Sequence, residues 1–394
     1  MLLLNPIESD AQILKAQDND GETIMVDNPI DAQLNITSTA AVLIEGSTGK
    51  VIYEKKKDER LKPASITKVM TLLLIFEALD KGQIKLTDEV SVSDYAASMG
   101  GSQVYLEPNE VQTVDTMIKC ISIASANDAS VAMGEFIAGS EEEFVAKMNQ
   151  RAKELGMNNT NFVNCCGLDT DNHYSSAYDV ALMSRELITK HPEISKYSTV
   201  WMDTITHTTR KGQSEFGLTN TNKLVRFYQG ITGLKTGSTG LAKYCVTATA
   251  KRNNMDLIAV IMAAPDTKSR FMEASKLLNY GFANYSIYSD DNADIVINPV
   301  KVDKGVTDTV QGTAGSKFSY LCMKGKSKDE IRKEVILFDQ VQAPVAQNDK
   351  IGEIIYYYGD EEIGSIDIIA AKAVNKARYR DCFVKILKRY FKAK

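Results

Sequence analysis

Residues 65–80 constrain this chain more than any other stretch. At helical spacing they are apolar on nearly every side: Val69, Met70, Leu72, Leu73, Leu74, Ile75, Phe76 and Leu79. A helix without a polar face has nothing to offer water, so other elements must enclose it. Yet Ser65 and Lys68 stand at its opening. At i and i+3 their side chains share one face. An ammonium on a core helix is costly unless it has partners or a task. The N-terminus of the helix also offers free N–H groups and a dipole that favour negative charge. A hydroxyl placed there can act as a nucleophile if a base takes its proton, and Lys68 can be that base if desolvation lowers its pKa.

A core that closes around such a helix needs many more elements, and 394 residues are enough for two domains. Residues 1–35 are polar and acidic without periodicity and read as a leader or flexible arm. Ala40–Ile44 and Val51–Tyr53 flank a Gly-Ser-Thr-Gly turn and predict a β-hairpin. Helices are predicted at 65–80, 112–123, 126–138, 141–155, 176–190 and 268–284. Strands are predicted at 244–251 and 257–262, turning at Asn253-Asn254. Strands at both ends with helices between suggest a mixed sheet covered by helices. From about 290 short runs separated by turn residues predict a small all-β domain: Ile295–Ile297, Phe318–Leu321, Val335–Leu337 and Ile354–Tyr357. The fold class is therefore α+β, with boundaries set at 1–35, 36–285, 286–370 and 371–394.

Composition excludes several functions. There are 46 basic and 51 acidic side chains, a net charge of -5, which argues against general nucleic-acid binding. Six cysteines follow no zinc or disulfide pattern, and adjacent Cys165 and Cys166 would be strained as a pair. Three histidines show no metal-binding spacing. No metal and no cofactor is implied. No apolar run reaches the roughly 18 residues of a membrane-spanning helix. The opening Met1–Pro6 is too short for a complete signal peptide, which is absent or truncated.

Two further motifs join the first. Ser125-Ala126-Asn127, between two predicted helices, offers a hydroxyl and an amide, though both residues also cap helices well. Lys235-Thr236-Gly237-Ser238, placed directly before a strand, offers a charge, hydroxyls and a glycine that lets backbone approach a ligand. Each motif alone is unremarkable. A phosphate loop is not indicated, because the order of its residues is absent. Ser-x-x-Lys, Ser-x-Asn and Lys-Thr-Gly in this order are the signature of penicillin-binding proteins and serine β-lactamases.

The chain resembles the low-molecular-mass D-alanyl-D-alanine carboxypeptidases, a branch of the penicillin-recognising serine enzymes. The likeness runs from Ala40 to about Tyr285 and more weakly over 290–370. It includes Pro63–Lys68, Ile123–Ala129, Asn220–Leu224, Gly233–Gly237 and Ala248–Arg252. The resemblance implies a transpeptidase/β-lactamase-like sheet covered by helices, and an enzyme that removes the terminal D-alanine from peptidoglycan stem peptides. It implies that Ser65 attacks the carbonyl between the two terminal D-alanines and Lys68 takes its proton. Ser125 and Asn127 shuttle protons and hold the substrate amide, and Lys235 supports the proton network. Backbone N–H groups of Ser65 and Ser238 form the oxyanion hole, each worth about 3–4 kcal/mol in comparable enzymes. Thr236 and Arg270 grip the terminal carboxylate, which suits the planar fork of arginine, and Gly237 and Ser238 join them in binding substrate. β-Lactams mimic the substrate and acylate Ser65.

The resemblance also implies a site of action outside the cytoplasm, on the outer face of the bacterial cytoplasmic membrane. The chain departs from the family pattern at Cys165-Cys166 and at Lys243, which puts fine specificity in doubt rather than the reaction class. Two rivals stand: a serine β-lactamase, against which no deacylating glutamate motif is found, and a non-catalytic β-lactam or wall-binding protein.

From Lys372 to Lys394 there are nine basic residues and one acid, Asp381. On a helical wheel Tyr379, Cys382, Phe383, Ile386, Leu387, Tyr390 and Phe391 share one side. A basic amphipathic helix of this kind lies in a membrane interface. The alternative is a helix packed on the β domain.

Overall fold

The structure, a computed structural model, describes residues 16–17, 23–24, 34–292, 294–325 and 327–392. Most of the arm read at 1–35 lies outside the described residues, as do the last two residues of the tail. The chain divides into two compact units, the first ending at Ala283 and the second beginning at Asn284.

In the first unit five strands form one sheet: β1 (Ala40–Glu45), β2 (Val51–Lys55), β3 (Ile231–Thr239), β4 (Lys243–Arg252) and β5 (Met255–Ala264). Their order is β2-β1-β5-β4-β3. Every pairing is antiparallel, not the mixed sheet expected from sequence. Parallel neighbours need a crossover between them. Here all the helices but the last sit in one long insertion between β2 and β3, and β3, β4 and β5 follow one another directly. Asn253 and Asn254 turn β4 into β5 with φ of +49° and +62°, the geometry that two-residue hairpin turns require.

The helices are α1 (Lys68–Asp80), α2 (Val114–Ser122), α3 (Asn127–Ala138), α4 (Glu141–Glu154), α5 (Ala177–Lys190) and α6 (Thr267–Asn284). Three starts are capped by hydroxyls: Thr113 accepts from the Thr116 N–H, Ser140 from Glu143 and Ser176 from Asp179. Such caps contribute about 1 kcal/mol each. Helix α1 is the core element its composition demands, with Val69, Met70, Leu72, Leu73 and Ile75 fully buried. Truncating any one of these to alanine costs about 2–5 kcal/mol. The anchored helix thus fixes whatever its first turn carries. A hairpin of Met202–Thr209 and Gly212–Thr219 was not read from sequence.

The second unit is rich in short strands, the longest being Lys350–Tyr358 and Glu361–Ala370. Phe318–Met323, Ile331–Leu337 and Lys350–Tyr358 contain three of the four predicted runs. Ile295–Ile297 is not a strand. Ile297 is buried, Ile295 packs partly against the same core and Val296 is 82% exposed, but the run pairs with no neighbouring strand among the described residues. The unit ends in helix α7 (Tyr379–Lys392). Among the described residues no helix is long and apolar enough to cross a membrane.

Candidate active site

Ser65 lies one step earlier than expected. A 3-10 turn, Ala64–Thr67, leads into α1, which begins at Lys68. In a 3-10 turn residues i and i+3 eclipse, so the Ser65 Oγ and Lys68 Nζ come to 3.1 Å. Lys68 is fully buried and donates two more hydrogen bonds, to Asn127 Oδ1 at 2.6 Å and to the Cys166 carbonyl at 2.7 Å. Burial pushes its pKa below the ordinary lysine range. With three oxygen partners the amine is fixed, and the desolvation leaves it readier to be a base.

The second motif occupies the connection from α2 to α3. Ser125 has a positive φ of +63°. Neither Ser125 nor Asn127 caps α3: Ala126 stands at that position and no side chain accepts there. Asn127 instead spans Lys68 and the Gly100 carbonyl, to which its Nδ2 donates at 2.6 Å. The Ser125 Oγ is buried and has no hydrogen-bond partner. Next to them Asp128 accepts from the N–H groups of Val104 at 3.2 Å and Leu106 at 3.1 Å. This ties down the loop that carries Gly100.

The third motif is a correction. Lys235, Thr236, Gly237 and Ser238 do stand before the strand β4, but they are not a connecting turn. They lie within β3, the edge strand. Gly237 explains the approach of that strand to Ser65. A Cβ on it would lie 2.8 Å from the Pro63 carbonyl oxygen and 2.9 Å from the Ser65 nitrogen, so only glycine fits. Lys235 is 1% exposed. Burial, the charge of Lys68 and the charge of Arg270 all push its pKa well down. The Thr236 hydroxyl donates to the Thr221 hydroxyl at 2.6 Å.

Arg270, on α6, is buried. Its Nη1 donates to the carbonyls of Gly237 at 3.1 Å and Cys245 at 3.2 Å, while Nε has no acceptor. Part of its fork therefore holds β3 and β4 rather than facing open space. Burial lowers its pKa too.

The three motifs thus converge, with Arg270 behind the third. The hydrogen-bond partners of Lys68, Lys235 and Arg270 among the described residues are hydroxyl, amide and carbonyl oxygens, not carboxylates. Converging basic groups with no carboxylate bonded to them favour an anionic ligand. No histidine enters this arrangement. The His173 ring bonds Thr67 Oγ1 at 2.9 Å and the Val163 N–H at 3.0 Å, and burial lowers its pKa to about 4. Sequence reading missed the Cys166 carbonyl, the Gly100 carbonyl and Thr221. The first two are backbone atoms that any residue supplies, and Thr221 sat unread within Asn220–Leu224.

Comparison with known proteins gives the family of the chain. The D-alanyl-D-alanine carboxypeptidase family profile (peptidase S11) matches residues 27–266. The profile of the penicillin-binding protein 5 C-terminal domain matches 282–376. The D-alanyl-D-alanine carboxypeptidase DacF of Bacillus subtilis is 46% identical over 358 residues, covering 91% of this chain and 90% of that protein. DacC of Escherichia coli is 31% identical over 352 residues, 88% of this chain and 86% of that protein. Among solved structures, penicillin-binding protein 5 from Haemophilus influenzae superimposes with a TM-score of 0.73 at 32% identity, over 86% of this chain and 98% of that one. Penicillin-binding protein D2 from Listeria monocytogenes, solved with ampicillin bound, gives 0.53 at 32% identity over 63% of this chain and 98% of that one.

Proposed function

This chain belongs to the D-alanyl-D-alanine carboxypeptidase family, and from that premise we propose that Ser65 is the nucleophile of its serine mechanism and Lys68 the base. The enzyme is a penicillin-binding peptidase that acts on peptidoglycan stem peptides ending in D-Ala-D-Ala and is acylated by β-lactams. The observation that carries the assignment is the 3.1 Å contact between a fully buried amine of lowered pKa and the Ser65 hydroxyl.

Each step then has a group to perform it. The Ser65 oxygen attacks the penultimate carbonyl as its proton passes to Lys68 Nζ. The N–H groups of Ser65 and Ser238 receive the oxyanion, a stabilisation of about 3–4 kcal/mol per donor. The leaving D-alanine amine takes a proton by way of Ser125, and Asn127 holds the substrate amide. Lys235, Thr236 and Arg270 supply the positive field and donors that favour the terminal carboxylate. Water then attacks the acyl-enzyme with Lys68 again as base.

Helix α7 is read as a membrane-surface anchor on the extracytoplasmic side. Tyr379, Phe383 and Ile386, at i, i+4 and i+7, are 96%, 62% and 65% exposed. An apolar stripe left in water beside basic residues favours an anionic lipid surface over packing on protein. Each basic residue near that surface would add about 1 kcal/mol.

The test is intact mass after penicillin exposure. One slow equivalent should map to Ser65, and Ser65→Ala should gain none and release no D-alanine from a D-Ala-D-Ala peptide. An adduct elsewhere, or rapid multiple turnover of nitrocefin, would reject the assignment. Deleting 372–394 should abolish binding to vesicles rich in phosphatidylglycerol.

A further inference from the structure

The Cys166 carbonyl that holds Lys68 belongs to a residue whose side chain is part of a second reactive group. Cys165, Cys166 and Glu141 place two sulfurs and a carboxylate oxygen within 4.8 Å of one another. Donors around a single tetrahedral zinc ion lie about 3.4–3.8 Å apart, so the set must draw together by up to about 1 Å to close on an ion. Two sulfurs and one oxygen suit a thiophilic divalent ion rather than a hard one. The carboxylate is already oriented: Tyr95 donates to Oε2 at 2.7 Å and the Cys165 N–H to Oε1 at 3.0 Å. Each oxygen keeps a second lone pair for an ion. The sulfurs are buried, but Glu141 is half-buried and Tyr95 is 51% exposed, which gives an access route.

We propose that Cys165, Cys166 and Glu141 bind a thiophilic divalent cation of the zinc class, and that occupancy slows acylation by displacing the Cys166 carbonyl from Lys68. The two thiol protons leave to solvent as the sulfurs bind. Exchanging a divalent ion for two protons leaves the net charge of the cluster unchanged, so Lys68 responds to movement rather than to new charge. That movement has little slack. The Cys166 carbonyl holds Lys68 Nζ at 2.7 Å, and the Cys165 carbonyl accepts from Thr71 Oγ1 at 2.6 Å. Asn164 Oδ1 accepts from the Gly167 N–H at 2.6 Å and the Leu168 N–H at 3.0 Å. The pair's backbone is thereby pinned to α1 on one side and to its own turn on the other. The binding half of this proposal is independent of the assignment of Ser65 and Lys68, and the coupling half rests on it.

The test uses the full chain under a reductant, in a Cys382→Ser background that removes the exposed thiol. Cadmium is titrated and followed by ultraviolet thiolate-to-cadmium absorption and by native mass, with zinc as competitor. One equivalent should bind. It should be lost in Cys165→Ser/Cys166→Ser and weakened about tenfold or more in Glu141→Gln. Gln keeps an acceptor for the Cys165 N–H, so metal-free Glu141→Gln should react with fluorescent penicillin as its parent does. In the parent, acylation should slow with cadmium occupancy and recover with EDTA. Absence of the band, or its survival in the double cysteine variant, overturns the site. Full occupancy with unchanged acylation overturns the coupling. If the metal-free parent itself is not acylated at Ser65, the functional assignment fails instead, while the titration still reports on the site.

Discussion

Replacing Gly237 with alanine should cripple acylation while leaving the fold largely intact. The added Cβ would stand 2.8 Å from the Pro63 oxygen, 2.9 Å from the Ser65 nitrogen and 3.0 Å from the Ile66 nitrogen, where ordinary contact starts near 3.4 Å. All three neighbours are backbone, so no rotamer change relieves the clash. Strand and turn must separate by about half an ångström. That separation moves the Ser65 N–H relative to Ser238, the two donors assigned to the oxyanion. Losing one such donor costs about a hundred- to a thousandfold in rate, and misplacement on this scale costs about a hundredfold. The overpacking itself should cost about 1–3 kcal/mol of stability. Gly240→Ala is the matched control, since nothing lies within 4 Å of its new Cβ. The assay is the second-order rate of acylation by a fluorescent penicillin, with a thermal melt alongside. Gly237→Ala should fall about a hundredfold and Gly240→Ala should match the parent. If Gly237→Ala acylated within about threefold of the parent, less than ~0.7 kcal/mol of barrier, the reasoning would be refuted.

Other expectations follow from the same contacts. Lys235→Met should abolish acylation yet raise the melting temperature, because a buried amine of lowered pKa is a burden on the fold. The burden is fully present below the folded pKa and is relieved as pH rises toward 10.5, so the gain of about 1–3 kcal/mol should shrink in melts taken at alkaline pH. Gly167→Ala should fail to fold or lose about 4 kcal/mol or more, because its Cβ would fall 1.9 Å from the Ala64 oxygen at a φ of +86°; chemical denaturation or soluble yield checks this. Asp128→Ala strips the N–H groups of Val104 and Leu106 of their acceptor. At about 1–3 kcal/mol for each buried donor, its urea midpoint should fall clearly, and acylation should weaken as the Gly100 loop loosens its hold on Asn127.

What could be read from the sequence divides along physical lines. The helices were legible because their apolar spacing is strong, and Ser65 and Lys68 because an i, i+3 pair opening a core helix is chemically odd. Strand β3 was misread because Gly233, Gly237 and Gly240 look like turn residues. Pairing with β4 and the close approach to Ser65, both tertiary facts, make it a strand. The hairpin at 202–219 escaped because it is mostly polar: Thr204, Thr206 and Thr208 point outward, and only Ile205, His207 and Leu218 are buried, with Phe216 packed partly against the core. The role of Cys166 was invisible in kind. Its contact with Lys68 is made by a carbonyl, and no side-chain pattern announces which carbonyl an amine will find.

The site also shows where the fold spends stability. Ala64 and Ser125, both non-glycine, hold positive φ of +48° and +63°. Strain of this kind costs about 1–3 kcal/mol per residue, and the two residues stand beside the first and second motifs. Two buried amines, a buried arginine and an unpartnered Ser125 hydroxyl add to the cost. Such an arrangement persists only if its surroundings allow no relaxation. Helix α1 supplies that constraint, since moving its first turn would drag Val69, Met70, Leu72 and Leu73 out of a packed core. The all-round apolar character of residues 65–80 and the reactivity of Ser65 are therefore linked: the helix must be buried on every side so that one strained turn at its end cannot yield. A bound carboxylate would answer basic groups that no carboxylate of the protein bonds, so ligand binding should stabilise this protein more than contact area alone suggests.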